Sequence, residues 1–445
     1  MALRIRSLLV AAALLAVAGS AAAQSPSGDL RLTFADAILR AGGTAPPVEL
    51  AGLRNREAEA RVREARSPLL PDLAGTAAWQ NRTFNKNSLG FPFNFPGAPP
   101  DLIGPYNLYD ARLSVTQTLF DYSSMQQLRA AREALRSSQA DSGATAEGAV
   151  VNTAGAYLRA LRAQASVEAR QEDSSIASQL LDLALAQQKA GVVAAIDVTR
   201  ARTQFVVAEQ GQIQARTQLD QARIDLARSL GFGPETRIDL ADTLTAALPV
   251  LALPPQRDSL VAFALTSRPD LAAEQARGDA ARRQGAAISA ELAPRLALAA
   301  DGGGNGPTVG SMIFTREIGI QLVWPILDGF RREARKDESN AQVSQSDVRL
   351  RELRLQVAAD VDAALLQLRS AEAQVEIAGE RLELAQDELS QAQERYKAGV
   401  AGNLDVINAQ QSLVRARDVD IDARFVAAAA RVALARAAGV ARLLH

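Results

Sequence analysis

The 445-residue chain has no cysteine and a single histidine, His445. Disulfides, thiolate catalysis, cysteine-zinc sites and histidine clusters are therefore excluded. Its 49 basic residues nearly balance 50 acidic ones, for a formal net charge of −1. A nucleic-acid binder would need a strong basic excess. The sequence has no HExxH, P-loop or GxSxG motif, so the familiar enzyme signatures are missing and the chain reads as a non-enzyme. Carboxylate pairs such as Glu172-Asp173 and Asp337-Glu338 read as solvated helix charges rather than acid/base dyads. No catalytic residue, cofactor or metal site is expected. At 48% hydrophobic and 22% charged residues, the chain can still bury a large core.

Long apolar runs are also missing after the N-terminus. Residues 1–23 read as a secretory signal peptide. Arg4 and Arg6 form the positive end, Leu8 to Ala18 the apolar run, and Ala21-Ala22-Ala23 the cleavage site before Gln24. The rival is a membrane anchor, but the run is short of the ~20 residues a spanning helix needs. The chain is thus expected to leave the cytoplasm, and an exported chain without cysteine fits the bacterial envelope.

Proline is absent from Tyr106 to Gly233 and again from Ile326 to the C-terminus. Both stretches are rich in Ala, Leu, Gln, Glu and Arg, so they predict long helices or coiled coils. Aromatics are only 4% of the chain, yet nine of the 19 lie in 79–122 and three more in 314–330. In these two windows the pattern changes to period two. Tyr109, Ala111, Leu113, Val115 and Leu119 alternate with Asp110, Arg112, Ser114, Thr116 and Thr118, broken only by Gln117. Phe314, Ile318, Ile320, Leu322 and Trp324 alternate with Thr315, Glu317 and Gln321. Period two over ~9–11 residues suits a tilted membrane-spanning strand. Weaker partner strands precede them at Leu73–Phe84 and around Leu296–Asp301. Between partners, Asn85–Pro105 (with Phe91, Phe93 and Phe95) and Asp301–Gly310 read as loops. Two soluble hairpins are the alternative.

The two halves repeat. Leu119-Phe120-Asp121 matches Ile326-Leu327-Asp328 at an offset of 207, and Lys189-Ala190-Gly191-Val192 matches Lys397-Ala398-Gly399-Val400 at 208. Asp197-Val198 and Asp405-Val406 repeat at 208, as do Leu230-Gly231 and Ala438-Gly439. Pro71 and Pro294 are 223 apart, so the first hairpin is longer by the difference of 16 residues. Each copy reads helix, strand, loop, strand, long helix, Gly turn, long helix. A heptad runs through both copies: Val198, Ala201, Phe205 and onward to Ser229, and Val406, Ala409, Leu413 and onward to Ala437. Both turn polar at the same place, Gln212 and Asp420. Such a repeat means supercoiled helices. A helix from Asp121 to Gly191 would be ~105 Å long, which suits a rod or a tube. Four strands cannot close a barrel, and an open edge in lipid leaves backbone groups unpaired. Closure therefore needs several chains; dimer, trimer and tetramer all satisfy strand parity.

These features resemble the TolC-like outer-membrane efflux and secretion channels over nearly all of 24–441. The tandem repeat, the two Lys-Ala-Gly-Val turns each followed by Asp-Val, Arg268-Pro269-Asp270-Leu271 opening a helix, and Ser67-Pro68-Leu69-Leu70-Pro71 entering the first strand carry the resemblance. It implies a mostly α fold with a membrane β-barrel portion: a homotrimer with a 12-stranded barrel continued by a periplasmic α-helical barrel tapering to a closed tip. It implies 24–231 and 268–441 as the two repeats, with 232–267, holding Pro234, Pro249, Pro254 and Pro255, as an equatorial linker. It implies a passive exit duct in the outer membrane, docked to a periplasmic adaptor and, through it, an inner-membrane pump. The other function class is a periplasmic coiled-coil scaffold or adaptor without a pore.

Within that resemblance, Gly191, Val192, Gly399 and Val400 form adaptor-docking turns, and Asp197, Tyr396, Asp405 and Asn408 line the periplasmic aperture. Asp405 matches an aspartate that rings the entrance; Asn408 stands where the family often has a second acid. Tyr396 and Asp197 match a contact that holds the tip closed, while Ala401 replaces the arginine that usually joins it. From position alone, Gly191 and Gly399 suit helix C-caps, and Asp197 and Asp405 suit helix starts. Trp79, Tyr109, Phe120, Tyr122, Phe314 and Trp324 are candidates for membrane-interface aromatics, with packing at the barrel–helix junction as the alternative.

Overall fold

The computed structural model describes residues 30–85, 100–245 and 252–445. The signal segment and Phe91, Phe93 and Phe95 lie outside the described residues. In chain order, β1 (Leu30–Leu32), α1 (Phe34–Thr44) and α2 (Pro46–Arg66) lead into β2 (Asp72–Asn85) and β3 (Leu102–Phe120). Then come α3 (Tyr122–Lys189), α4 (Ala195–Ser229), β4 (Ile238–Leu240) and α5 (Arg257–Ser267). The second copy follows: α6 (Pro269–Ala290), β5 (Arg295–Gly306), β6 (Ile313–Val323), α7 (Arg331–Lys397) and α8 (Asn403–Ala437).

The four predicted strands are all present and form one antiparallel sheet in the order β2-β3-β5-β6. The Gly302–Gly306 stretch is corrected from loop to strand. It completes β5, paired to β3 on one side and β6 on the other. Its glycines let strands approach closely. A Cβ on Gly303 would lie 2.1 Å from the Ala111 carbonyl oxygen, and one on Gly306 would lie 2.6 Å from that of Ser311. Residues 102–105 likewise belong to β3 rather than to a loop.

The two long helices, of 68 and 67 residues, are each unbroken and ~100 Å long. The neighbour order at the helical end is α4-α3-α8-α7. The heptad residues of α8 from Val406 to Ala437 are all buried, because α8 sits between α3 and α7. Those of α4 are buried or half-buried, since α4 lies at an edge. Alanines dominate these seams and let the backbones close in.

The structure also locates the single residue by which the repeat offset changes. Asp121 caps α3 by accepting from the Ser124 N–H, and Asp328 accepts from the Arg332 N–H. The acids are 207 apart and the donors 208. The extra residue sits in the Gly329-Phe330 turn, where both φ angles are positive (69° and 63°). Hence an offset of 208 holds along the whole of α3/α7 and α4/α8.

The segment between repeats is more structured than a linker. β4 pairs in parallel with β1. The Asp242 carboxylate accepts from the Phe34 N–H at 2.7 Å and lies 2.8 Å from the Tyr157 hydroxyl. Tyr157 is fully buried, and burial, followed by its hydrogen bond to Asp242, raises its pKa. The two ends and the middle of the chain thus meet in one core with Leu32, Ile38, Leu226, Ile238 and Leu444.

All four coiled-coil helices end alike. The N–H of Gly191 bonds to Gln188 O and that of Val192 to Gln187 O; Gly231/Phe232, Gly399/Val400 and Gly439/Val440 repeat the pattern. These are Schellman caps, with φ between 72° and 79° at each glycine. At Gly439 an added Cβ would meet the Arg268 backbone at 2.9 Å, whereas Gly399 has open space. Gly399→Ala is expected to cost about 1–2 kcal/mol, for the left-handed backbone alone. Gly439→Ala should cost about 3 kcal/mol or more. Heat denaturation followed by circular dichroism checks the ranking; equal losses would contradict it.

Candidate functional site

At one end of the molecule lie the two helix-to-helix turns. Each follows a Schellman cap and leads into a helix with an acid at its third residue, Asp197 in α4 and Asp405 in α8. Neither helix has a side-chain N-cap bond; Ala194 and Gly402 occupy those positions. The carboxylates therefore meet the positive helix end through the dipole rather than as caps. Asp405 and Asn408 are exposed. Asp197 is half-buried and sits 3.6 Å from Arg200.

The turns also present apolar side chains to solvent. Val192 is 67% exposed and Val400 is 73%. Ile196 and Leu404, a further matching pair at the 208 offset, are 55% and 51% exposed. Four exposed branched residues thus lie at one tip.

Tyr396 is buried at 3% exposure. Burial, and secondarily the charge of Asp197, raises its pKa. The two side chains are thus close enough to interact electrostatically, yet the buried hydroxyl has no hydrogen-bond partner within the described chain. A different residue links the two turns. Asn403, 2% exposed, donates from Nδ2 to the Asp197 carbonyl oxygen at 2.9 Å. Sequence reasoning missed Asn403 because its repeat counterpart is Ala195, so the repeat gave no signal there. Ala401, half-buried in the turn, offers no side-chain hydrogen bond.

The sheet has two chemically distinct faces. Register places Asp110, Arg112, Ser114, Thr116, Asp301, Glu317 and Gln321 on one face. Arg112 bridges Asp110 (2.9 Å) and Asp301 (2.8 Å) there. The other face carries Leu73, Trp79, Leu113, Val115, Leu298, Ile318, Ile320 and Leu322. Arg316 is its one charge among the described residues, close to the hairpin end. Both outer strands, β2 and β6, are solvent-exposed nearly throughout, and among the described residues each pairs with a strand on one side only.

The candidate aromatics fall in two groups. Trp79 lies opposite Tyr109, and Phe314 opposite Gly304, two residues along β5 from Tyr109's partner Gly306. Phe120, Tyr122 and Trp324 gather at the helix-proximal strand ends, where a bulge after Thr118 turns Phe120 opposite Leu296 and onto the apolar face. Eleven residues separate Tyr109 from Phe120, ~36 Å along the strand, or ~28 Å of height at a ~40° tilt. That height is close to the ~25 Å apolar band of outer-membrane barrels. No helix among the described residues is long and apolar enough to cross a membrane, which says nothing against strands.

Comparison with known proteins agrees with this geometry. The sequence profile of the family "Outer membrane efflux protein" matches residues 41–232 and 260–440. The pyoverdine export outer membrane protein OpmQ of Pseudomonas putida is 27% identical over 399 residues, covering 87% of this chain and 82% of OpmQ. The alkaline protease secretion protein AprF of Pseudomonas aeruginosa is 26% identical over 319 residues, 70% of this chain and 65% of AprF. The crystal structure of the Campylobacter jejuni CmeC outer membrane channel superposes with a TM-score of 0.78 at 16% identity, covering 92% of this chain and 86% of that one.

Asn403→Ala removes the donor to the Asp197 carbonyl. Amide exchange in residues 192–199 is expected to rise about five- to tenfold, the equivalent of one hydrogen bond. Unchanged exchange there would show that Asn403 does not hold the turns together.

Proposed function

The chain belongs to the outer membrane efflux protein family, and from that premise we propose how its parts work as a duct. It is an outer-membrane protein, the exit channel of an efflux or secretion system, as its family is. Three copies set their sheets edge to edge as a barrel of twelve strands. The apolar face meets lipid, and the polar face with Arg112, Asp110 and Asp301 lines the lumen. The observation that carries this reading is the open, two-faced sheet: a sheet with free edges is excluded from lipid unless copies close it. A scaffold without a pore would have no use for such a face.

Trp79, Tyr109 and Phe314 form the outer aromatic girdle, and Phe120, Tyr122 and Trp324 the inner one. Residues 24–231 and 268–441 act as two similar staves, joined at 232–267. Below the membrane the long helices continue the lumen through the periplasm. Gly191, Val192, Gly399 and Val400, together with Ile196 and Leu404, are where a periplasmic adaptor docks, burying exposed apolar area. An inner-membrane pump loads the duct through that adaptor. OpmQ is named for pyoverdine export and AprF for alkaline protease secretion. A duct of this kind takes what its pump delivers, small molecule or polypeptide. It carries no catalytic chemistry.

Asp197, Tyr396, Asp405 and Asn408 surround the closed tip. Three Asp405 carboxylates, one from each copy, ring the aperture and favour cations. Asn408, one turn on, leaves that ring with a single charge per chain. In planar bilayers the purified protein is expected to give small, cation-selective openings. Asp405→Asn should weaken block by divalent cations, and Asn408→Asp should strengthen it. Block unaltered by either change would remove Asp405 from the aperture; absence of conductance would remove the channel.

A further inference from the structure

Charge in the sheet lies almost wholly on one face. By register, the strand acids Asp72, Asp110, Asp301 and Glu317 are all on the polar face. Arg82, Arg112 and Arg295 are on that face too, with Arg82 donating to the Tyr106 hydroxyl at 2.8 Å. Arg316 is the exception. It stands across the ladder from Gly302, on the face that carries Leu298, Ile318 and Ile320. It is exposed, and no described residue pairs with its guanidinium.

Closing the barrel supplies no counter-ion. In the proposed ring β6 meets the neighbour's β2, whose one acid is Asp72, on the polar face. This holds for any register between copies. The hairpin ends offer none either. Residues 86–100 and 307–312 contain no Asp or Glu, and Asp101 is already engaged.

Depth favours a ligand at the membrane surface. Arg316 is two residues inward of Phe314 and eight outward of Trp324, so it lies near the outer end of the apolar band. Two residues span ~7 Å along a strand, close to the length of an arginine side chain. The guanidinium can therefore rise to headgroup level while its methylenes stay in the apolar layer. The same face has turned polar beyond Trp79 and Tyr109, where the Asn81 amide donates to Asn107 at 2.9 Å. The Phe314 ring reaches over Gly302, within 3.3 Å of where a Cβ would stand, so an aromatic surface adjoins the arginine.

We propose that Arg316 binds the phosphate of an anionic lipid in the outer leaflet, one lipid per chain, with the acyl chains laid on the apolar face beside Phe314. A guanidinium holds a phosphate through two parallel hydrogen bonds, stronger than those to a neutral headgroup. Without such a partner, a lone charge on a lipid-facing strand is only a cost.

This inference rests on the channel reading, and its test separates the two. The detergent-purified full-length protein is titrated with dioleoyl phosphatidic acid, with dioleoylglycerol (the same chains without the phosphate) and with inorganic phosphate. Native mass spectrometry reads what is bound. Phosphatidic acid should add up to one lipid per chain, and the other two probes should bind at least about tenfold more weakly. Arg316→Gln should weaken phosphatidic acid binding about tenfold, and Arg316→Lys by less, since it keeps a point charge. Arg295→Gln removes the same charge from the polar face and should leave lipid binding unchanged. Wild-type binding by Arg316→Gln, or an equal loss in Arg295→Gln, would overturn the site. Dioleoylglycerol bound as tightly as phosphatidic acid would remove the phosphate from it, and inorganic phosphate bound as tightly would make it a free-anion site. A trimeric mass with no lipid dependent on Arg316 leaves the channel standing. A chain that stays in solution without detergent would overturn the channel and the lipid site together.

Discussion

Backbone hydrogen bonding in lipid is the constraint on which everything else depends. Each unpaired N–H or C=O in the bilayer core costs several kcal/mol. Within one chain the sheet β2-β3-β5-β6 satisfies its inner strands on both sides and its outer strands on one. On the channel reading proposed above, the outer edges of β2 and β6 pair with each other in neighbouring copies. On that reading the chain is a stave rather than a vessel, and the lumen is a property of the assembly.

In the proposed duct, the tandem repeat extends that requirement into a tube. β5-β6 repeats β2-β3 and α7-α8 repeats α3-α4, so in the proposed duct each chain supplies two similar staves. Asp121 and Asp328 start the long helices directly beneath the strands, and the Gly329-Phe330 turn takes up the single extra residue of the second copy. On the outer helices, Val206 and Ile213 of α4 and Ile377 and Leu384 of α7 are exposed.

Much of this was legible in the sequence. Period-two alternation from Tyr109 to Leu119 marked β3, because one face meets apolar and the other polar surroundings. The Lys-Ala-Gly-Val turns marked the tips, because only glycine adopts the left-handed backbone there without strain. Other features were not legible. Gly302–Gly306 has loop composition, yet ladders on both sides make it strand, and the absence of side chains lets the neighbouring backbones approach. Asn403 has no counterpart in the first copy, and its bond to the Asp197 carbonyl depends on how two distant turns meet. Tyr396 and Asp197 are brought together, but burial without a hydrogen bond is a matter of ångströms that spacing does not encode.

The central claim is that three open sheets make one closed barrel. Native mass determination of the detergent-extracted protein tests it most directly. The account predicts a single species of three chains that withstands dilution, since dissociation would uncover sheet edges and apolar seams together. A stable monomer in detergent, with its sheet intact by circular dichroism, would contradict it.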